Sequence, residues 1–206
     1  MRVEELEANG FTLLEELEHD RIMPFIREQL KRSTPAKWAL ALATFLPLGF
    51  AVGSAWAYHE QGRLQAGDAL GRFSIGIALV FALIPVHEYI HVLAYRSQGA
   101  TSTSYAVDLK RFVFMALADR FVADRKAFRI IALAPYVIIS SVLVGLMPFA
   151  DPPALFVLLG ALFMHTSACS GDIGLLAYLY LHRDKDVVTY DDVPAKRSYF
   201  FGRDKA

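Results

Sequence analysis

The chain has 206 residues, a mean hydropathy of +0.35 and no formal net charge, and 55% of its residues are apolar. The length suits one domain, and the composition excludes an ordinary soluble fold. The single cysteine, Cys169, excludes an internal disulfide framework and a cysteine-rich structural zinc site.

The first segment, residues 1–36, is rich in Glu, Lys and Arg. Its leucines and Phe11 offer an apolar face, although Asn9-Gly10 and Pro24 interrupt the pattern. We expect a cytoplasmic amphipathic N-terminal segment of helical character. Its charged face is either simply solvated or used for regulation or substrate docking.

Four long apolar segments follow, each at or above the roughly 20 residues that cross about 30 Å of hydrocarbon. We therefore predict an all-α integral membrane protein with four transmembrane helices in a domain of residues 37–182. The predicted spans are residues 38–59, 73–95, 130–149 and 154–181.

The loop between the second and third spans contains a stretch rich in hydroxyl and β-prone residues, Thr101 to Tyr105, and an apolar stretch, Phe112 to Met115. This pattern predicts a short β-hairpin in the central cytoplasmic loop. The last residues, 183–206, are expected to form a cytoplasmic tail.

The cations are distributed unevenly along the chain. Of the 21 Lys and Arg residues, 19 fall on one side of the membrane if the chain crosses four times. By the positive-inside rule, both termini and the central loop then lie in the cytoplasm.

The run His87-Glu88-Tyr89-Ile90-His91 lies inside the second predicted span. At helical pitch the two imidazoles lie one turn apart on one face and can bind one zinc ion, while Glu88 is offset to act on water at the metal. Ionisable groups are costly in lipid unless they are paired or bound to metal, so this run predicts a catalytic Zn²⁺ site.

A third zinc ligand must come from elsewhere in the chain. The position six residues after His91 is Ser97 rather than histidine, and Glu88 is the last glutamate. Of the later aspartates, only Asp172 lies in a predicted span. Measured from the cytoplasmic ends of their spans, His91, His87 and Asp172 lie about 7, 13 and 16 Å deep, so Asp172 is the predicted ligand.

His165 competes with Asp172, since it lies two turns earlier on a similar face. A straight span would place it about 27 Å from the cytoplasmic end, near the opposite surface. We therefore give it a lesser role, in substrate binding or oxyanion stabilisation. An ordinary interhelical hydrogen bond is the alternative.

These residues resemble the site-2-protease-like intramembrane metalloproteases, and among them the small zincin peptidases of bacteria and archaea. The resemblance covers roughly residues 70–182 and rests on the run 87–91 and on the stretch from His165 to Asp172. In the larger family the second motif has an Asn followed by Leu-Asp-Gly, whereas Gly171-Asp172-Ile173 stands here. The resemblance implies a three-helix catalytic core, Asp172 as third ligand and a prokaryotic cell membrane.

Together these features predict an intramembrane zinc metalloprotease that hydrolyses peptide bonds of membrane protein segments near the cytoplasmic leaflet. Glu88 is the expected acid and base. The expected partners are the lipid bilayer and a membrane protein or peptide substrate, which could pair with the strand-prone region by β-addition. We expect no nucleic-acid partner, and the oligomeric state stays open.

Two other functions are compatible with the pattern. The same ionisable residues could carry ions or protons in a membrane transport protein, although four helices without a repeat disfavour this. A catalytically inactive metalloprotease-like scaffold is the second alternative, which the intact Glu88 disfavours. A diiron hydroxylase would need about eight histidines, and the chain has six.

Overall fold

The structure is a computed structural model that describes residues 2–108 and 113–205. The chain forms two compact units, each assembled from separate stretches. Unit 1 comprises Met1–Thr34, Glu88–Ala134 and Gly171–Ala206, and unit 2 comprises Pro35–His87 and Pro135–Ser170. The division into an N-terminal segment, a membrane domain and a tail stays a prediction.

Three helices are long and apolar enough to cross a membrane, which indicates a membrane protein. They match the first three predicted spans. The fourth predicted span is two helices bent by 43° at a break beside Cys169, and it counts as a span only if the pair is taken together. The described residues form the helices α1 Ile22–Lys31, α2 Pro35–Glu60, α3 Ala66–Ser97, α4 Arg125–Leu146, α5 Pro152–Ala168 and α6 Ser170–Leu181.

The long helices expose large apolar side chains, as suits contact with hydrocarbon rather than water. Those on α2 include Trp38, Leu42, Phe45, Leu46 and Phe50, and those on α3 include Leu79, Phe81 and Tyr89.

The all-α prediction is not confirmed, because the described residues also form six strands in two sheets. The predicted hairpin in the central loop is confirmed. Its strands are β2, Thr103–Asp108, and β3, Val113–Ala118, which pair antiparallel. Residues 109–112 of the strand-prone region lie outside the described residues.

The second sheet joins the two ends of the chain. It has the antiparallel order β1–β6–β5–β4, with β1 at Thr12–Glu18, β4 at Ala123–Asp124, β5 at Lys185–Asp192 and β6 at Arg197–Asp204. The helical prediction for the leucines near residue 13 is therefore wrong. A bulge between Leu13 and Glu15 shifts the register, so the strand lacks a clean alternation of apolar and polar residues.

The core of unit 1 holds α6 in place. Buried side chains of the sheet, including Val187 and Phe200, pack in one cluster with Tyr178 of α6. Gly174 of α6 lies against Ile26 of α1, where an added Cβ would come within 2.7 Å of the Ile26 side chain. These contacts fix the helix that carries Asp172.

Unit 2 is built around a close crossing of α3 and α5. A Cβ added to Gly76 would overlap the backbone of Val157, and one added to Gly160 would overlap the backbone of Phe73. Only glycine allows the two backbones to come this near. The crossing sets the separation of the two helices that carry His87 and His165.

Candidate metal centre

The predicted zinc-binding run lies on α3, which is unbroken from Ala66 to Ser97 although it contains Pro85. His87 and His91 are therefore one helical turn apart, as the sequence predicts. Their relative position is set by the helix itself.

The imidazole of His91 lies between a carboxylate and a backbone carbonyl. Its Nε2 atom lies 3.3 Å from Oδ1 of Asp172, and its Nδ1 atom lies 2.9 Å from the carbonyl oxygen of Ile131. A carbonyl oxygen can only accept a hydrogen bond, so Nδ1 carries the proton and donates the hydrogen bond. In the neutral ring, Nε2 then presents its lone pair toward the carboxylate, an arrangement that a cation between the two would stabilise.

His87 completes the predicted set of ligands. It lies one turn before His91 on the same helix, and within unit 1 Oδ1 of Asp172 lies 3.3 Å from Nε2 of His91. Two imidazoles and one carboxylate are a donor set of catalytic zinc sites, which leave a fourth position for water or substrate. The residues present therefore fit a zinc ion, and their role as ligands stays a prediction.

Glu88 lines a cavity of about 120 Å³ in unit 1, together with His91 and Asp172. Residues 114–117 of β3 line the same cavity. A space of this size with several polar walls has room for several water molecules. Glu88 can therefore meet water beside the predicted ligands.

One comparison with known proteins gives a match. Residues 80–187, more than half of the chain, match the protein family described as "Putative zincin peptidase". The chain belongs to this family. Neither the curated proteins nor the solved structures give a significant match.

Membership of the zincin peptidase family supports metallopeptidase activity and implies a zinc cofactor. The matched residues contain the run His87 to His91 and also Asp172. The implied zinc thus agrees with the donor types of these residues, of which His91 and Asp172 lie together in unit 1.

His165 lies close to His87, whereas the depth argument places the two residues well apart. Its ring centroid lies 5.7 Å from that of His87, within unit 2. The depth argument assumes a straight span, whereas the chain bends by 43° at a break beside Cys169. The predicted role of His165 in substrate binding or oxyanion stabilisation stays a prediction.

Cys169 is a residue that sequence reasoning assigns no role. It is fully buried, and its Sγ lies 3.8 Å from Nε2 of His165. The spacing of four residues between them on a helix was a signal that could have linked them.

Asp191 of β5 also lines the cavity that contains Glu88. Burial raises the pKa of its carboxyl to about 6, although Ser198 donates a hydrogen bond to it at 2.6 Å. No sequence signal points to this residue, because β5 lies in a segment expected to be a tail.

Proposed function

We propose that the protein is an intramembrane zinc metalloprotease of the site-2-protease type, which hydrolyses peptide bonds of membrane protein segments near the cytoplasmic leaflet. The observation that carries the proposal is the pairing of His91 with Asp172 beside Glu88, on a helix long and apolar enough to span a membrane. A zincin-family chain with its donor set in such a helix is suited to substrates that also lie in the bilayer.

In this proposal His87, His91 and Asp172 hold zinc, with His91 oriented by its hydrogen bond to Ile131. Bound zinc supplies Lewis-acid polarisation of the scissile carbonyl and lowers the pKa of water. Glu88 accepts a proton from the attacking water and then donates a proton to the leaving amine. The cavity at Glu88 supplies the space for that water.

The depth of the site follows from its place on α3. His91 lies six residues before Ser97, the last residue of that helix, so it is about 9 Å from the end. This end leads into the cation-rich central loop. By the positive-inside rule that loop and both termini of this multi-pass protein lie in the cytoplasm, in a membrane that the resemblance takes to be prokaryotic.

The hairpin β2–β3 offers a surface for the substrate backbone. No strand of the described residues pairs with β2 other than β3, and β3 lines the cavity that holds Glu88. Tyr105 and Val107 of β2 are exposed. An unwound substrate must satisfy its backbone, and β-addition to β2 would do so.

Proline substitution tests β-addition. Successive residues of a strand direct their N–H groups to opposite sides, so of Tyr105→Pro and Ala106→Pro one removes an outward donor. The variant that removes the outward donor is expected to lose cleavage, while Tyr105→Ala, which keeps the backbone, retains it. Unchanged cleavage in both proline variants would contradict this mode of binding.

The central experiment is cleavage of candidate single-span membrane proteins in vesicles by the wild type and by Glu88→Gln. We expect loss of cleavage in Glu88→Gln, because the amide cannot accept the proton of water. Glu60→Gln, at the exposed end of α2, is the matched control and is expected to cleave normally. Cleavage that persists in Glu88→Gln would contradict the role of this residue.

Zinc content separates the protease from the transport alternative. A stoichiometric ion in the purified Cys169→Ser protein, lost on further replacing His87 or Asp172, supports the proposal. Ion or proton flux through vesicles, in a protein that holds no zinc, would instead support transport.

A further inference from the structure

A second group of metal-binding side chains lies in unit 2. Ligand atoms of His87, His165 and Cys169 all lie within 4.8 Å of one another. His165 is 1% exposed and Cys169 is fully buried. His87 is half-buried. Two of the three residues are thus out of contact with solvent, and Cys169 has no part in the proposed reaction.

The local backbone holds this group together. His165 lies in the last turn of α5, and the N–H of Cys169 donates to the carbonyl oxygen of His165 at 3.1 Å, so the turn continues to Cys169. Both side chains consequently project from one face. The close crossing at Gly76 and Gly160 brings α5 to the helix that carries His87.

The donor types suit zinc. Two imidazoles and a thiolate supply one negative charge to a divalent cation, the same charge that two imidazoles and one carboxylate supply at the predicted catalytic site. The thiolate is the softer donor, and borderline-soft metals such as zinc bind it strongly. On coordination the thiol of Cys169 gives up its proton to water.

We propose that His87, His165 and Cys169 form a second zinc position, which competes with the catalytic position for His87. A neutral imidazole offers one lone pair, so an ion held by Cys169 removes His87 from the catalytic set. The second position is therefore a resting position, and the ion must leave it before the peptidase is active. The effect on peptidase activity rests on the proposed function, whereas metal binding by His87, His165 and Cys169 does not.

Cobalt binding tests the second position. Purified metal-free full-length protein is titrated with Co²⁺ in detergent, and the near-ultraviolet thiolate-to-cobalt charge-transfer band reports coordination by Cys169. Asp172→Asn weakens metal binding at the catalytic position. We therefore expect this variant to show the band once one equivalent of cobalt is bound. We also expect the band in the wild type to be weaker than in Asp172→Asn, because the two positions compete.

Two substitutions complete the test. Cys169→Ser is expected to lose the band while still binding cobalt at the catalytic position. Ser167→Ala, two residues away in the same turn, is the matched control and should keep the band. Cobalt that binds both the wild type and Asp172→Asn without the band overturns the proposal, and so does failure of Asp172→Asn to bind cobalt.

This outcome is independent of proteolysis. A charge-transfer band in a protein that cleaves no substrate would leave the second position intact and contradict the proposed function. Cleavage of substrate by a protein that shows no charge-transfer band would support the proposed function and contradict the second zinc position.

Discussion

The imidazole of His91 joins three helices of unit 1, because its Nε2 lies 3.3 Å from Asp172 of α6 while its Nδ1 lies 2.9 Å from the carbonyl oxygen of Ile131 in α4. The carbonyl fixes the tautomer, and the carboxylate faces the remaining nitrogen. Zinc binding at this pair therefore depends on how firmly unit 1 holds α6.

Asp172→Asn tests the third ligand directly. A neutral amide oxygen is a much weaker zinc ligand than a carboxylate, so zinc affinity at the catalytic set should fall by at least about 10-fold. Isothermal titration with zinc, done in Cys169→Ser so that only one position binds, measures the change. Asp184→Asn, at an exposed aspartate, should bind zinc as tightly as the parent. Equal affinity in Asp172→Asn and the parent would remove Asp172 from the set.

The parts of the site that can be predicted from sequence follow from short-range geometry and from the cost of burial. The spacing of His87 and His91 is enough to predict that both can face one ion, because a helix places residues four apart on one face. Asp172 follows by elimination, since a carboxylate in an apolar helix needs a partner. In both cases the inference needs no knowledge of distant packing.

The parts that cannot be predicted depend on contacts between distant segments. Strand β1 is stabilised by pairing with β6 at the other end of the chain, and its bulge hides the strand pattern. The position of His165 depends on the helix break beside Cys169, where Ser-Gly residues rather than proline follow. A depth count along a straight helix takes no account of such a break.

The crossing of α3 and α5 gives a prediction for Gly160→Ala. The added methyl group would overlap the backbone of Phe73, which cannot move aside as a flexible side chain can. Overpacking of this kind costs about 1–3 kcal/mol, so the melting temperature in detergent should fall. Gly145→Ala in α4 meets no atom within 4 Å and should be neutral or slightly stabilising. A melting temperature of Gly160→Ala equal to that of Gly145→Ala would show that the helices separate without cost.

Arg125 gives a prediction for the anchoring of α6. Its guanidinium donates to the carbonyl oxygens of Leu179, His182 and Lys185, the last two at 2.8 Å. Loss of a charged hydrogen bond costs about 1.5–3 kcal/mol, so Arg125→Ala should lower the melting temperature and weaken zinc binding through Asp172. Arg125→Lys should be intermediate because an ammonium cannot reproduce the planar fork. Lys126→Ala, at the exposed neighbouring position, is the control, and an equal effect in it would contradict the anchoring role.

Asp191 gives a prediction for the pH dependence of stability. Because burial raises the pKa of this carboxyl from 3.8 to about 6, the folded state binds the proton more tightly than the unfolded state does. This group therefore makes the folded state less stable as pH rises from about 4 through 6, and the loss is complete above that range. Asp191→Asn stays neutral, and its amide oxygen can still accept from Ser198. The difference in melting temperature between Asp191→Asn and the wild type should consequently grow in favour of the variant from pH 5 to pH 8.

Asp186→Asn is the control. Asp186 lies at a half-buried position of the same strand and its carboxylate pairs with Arg203, and this variant should show no such growth. A difference that is constant with pH would contradict the raised pKa of Asp191.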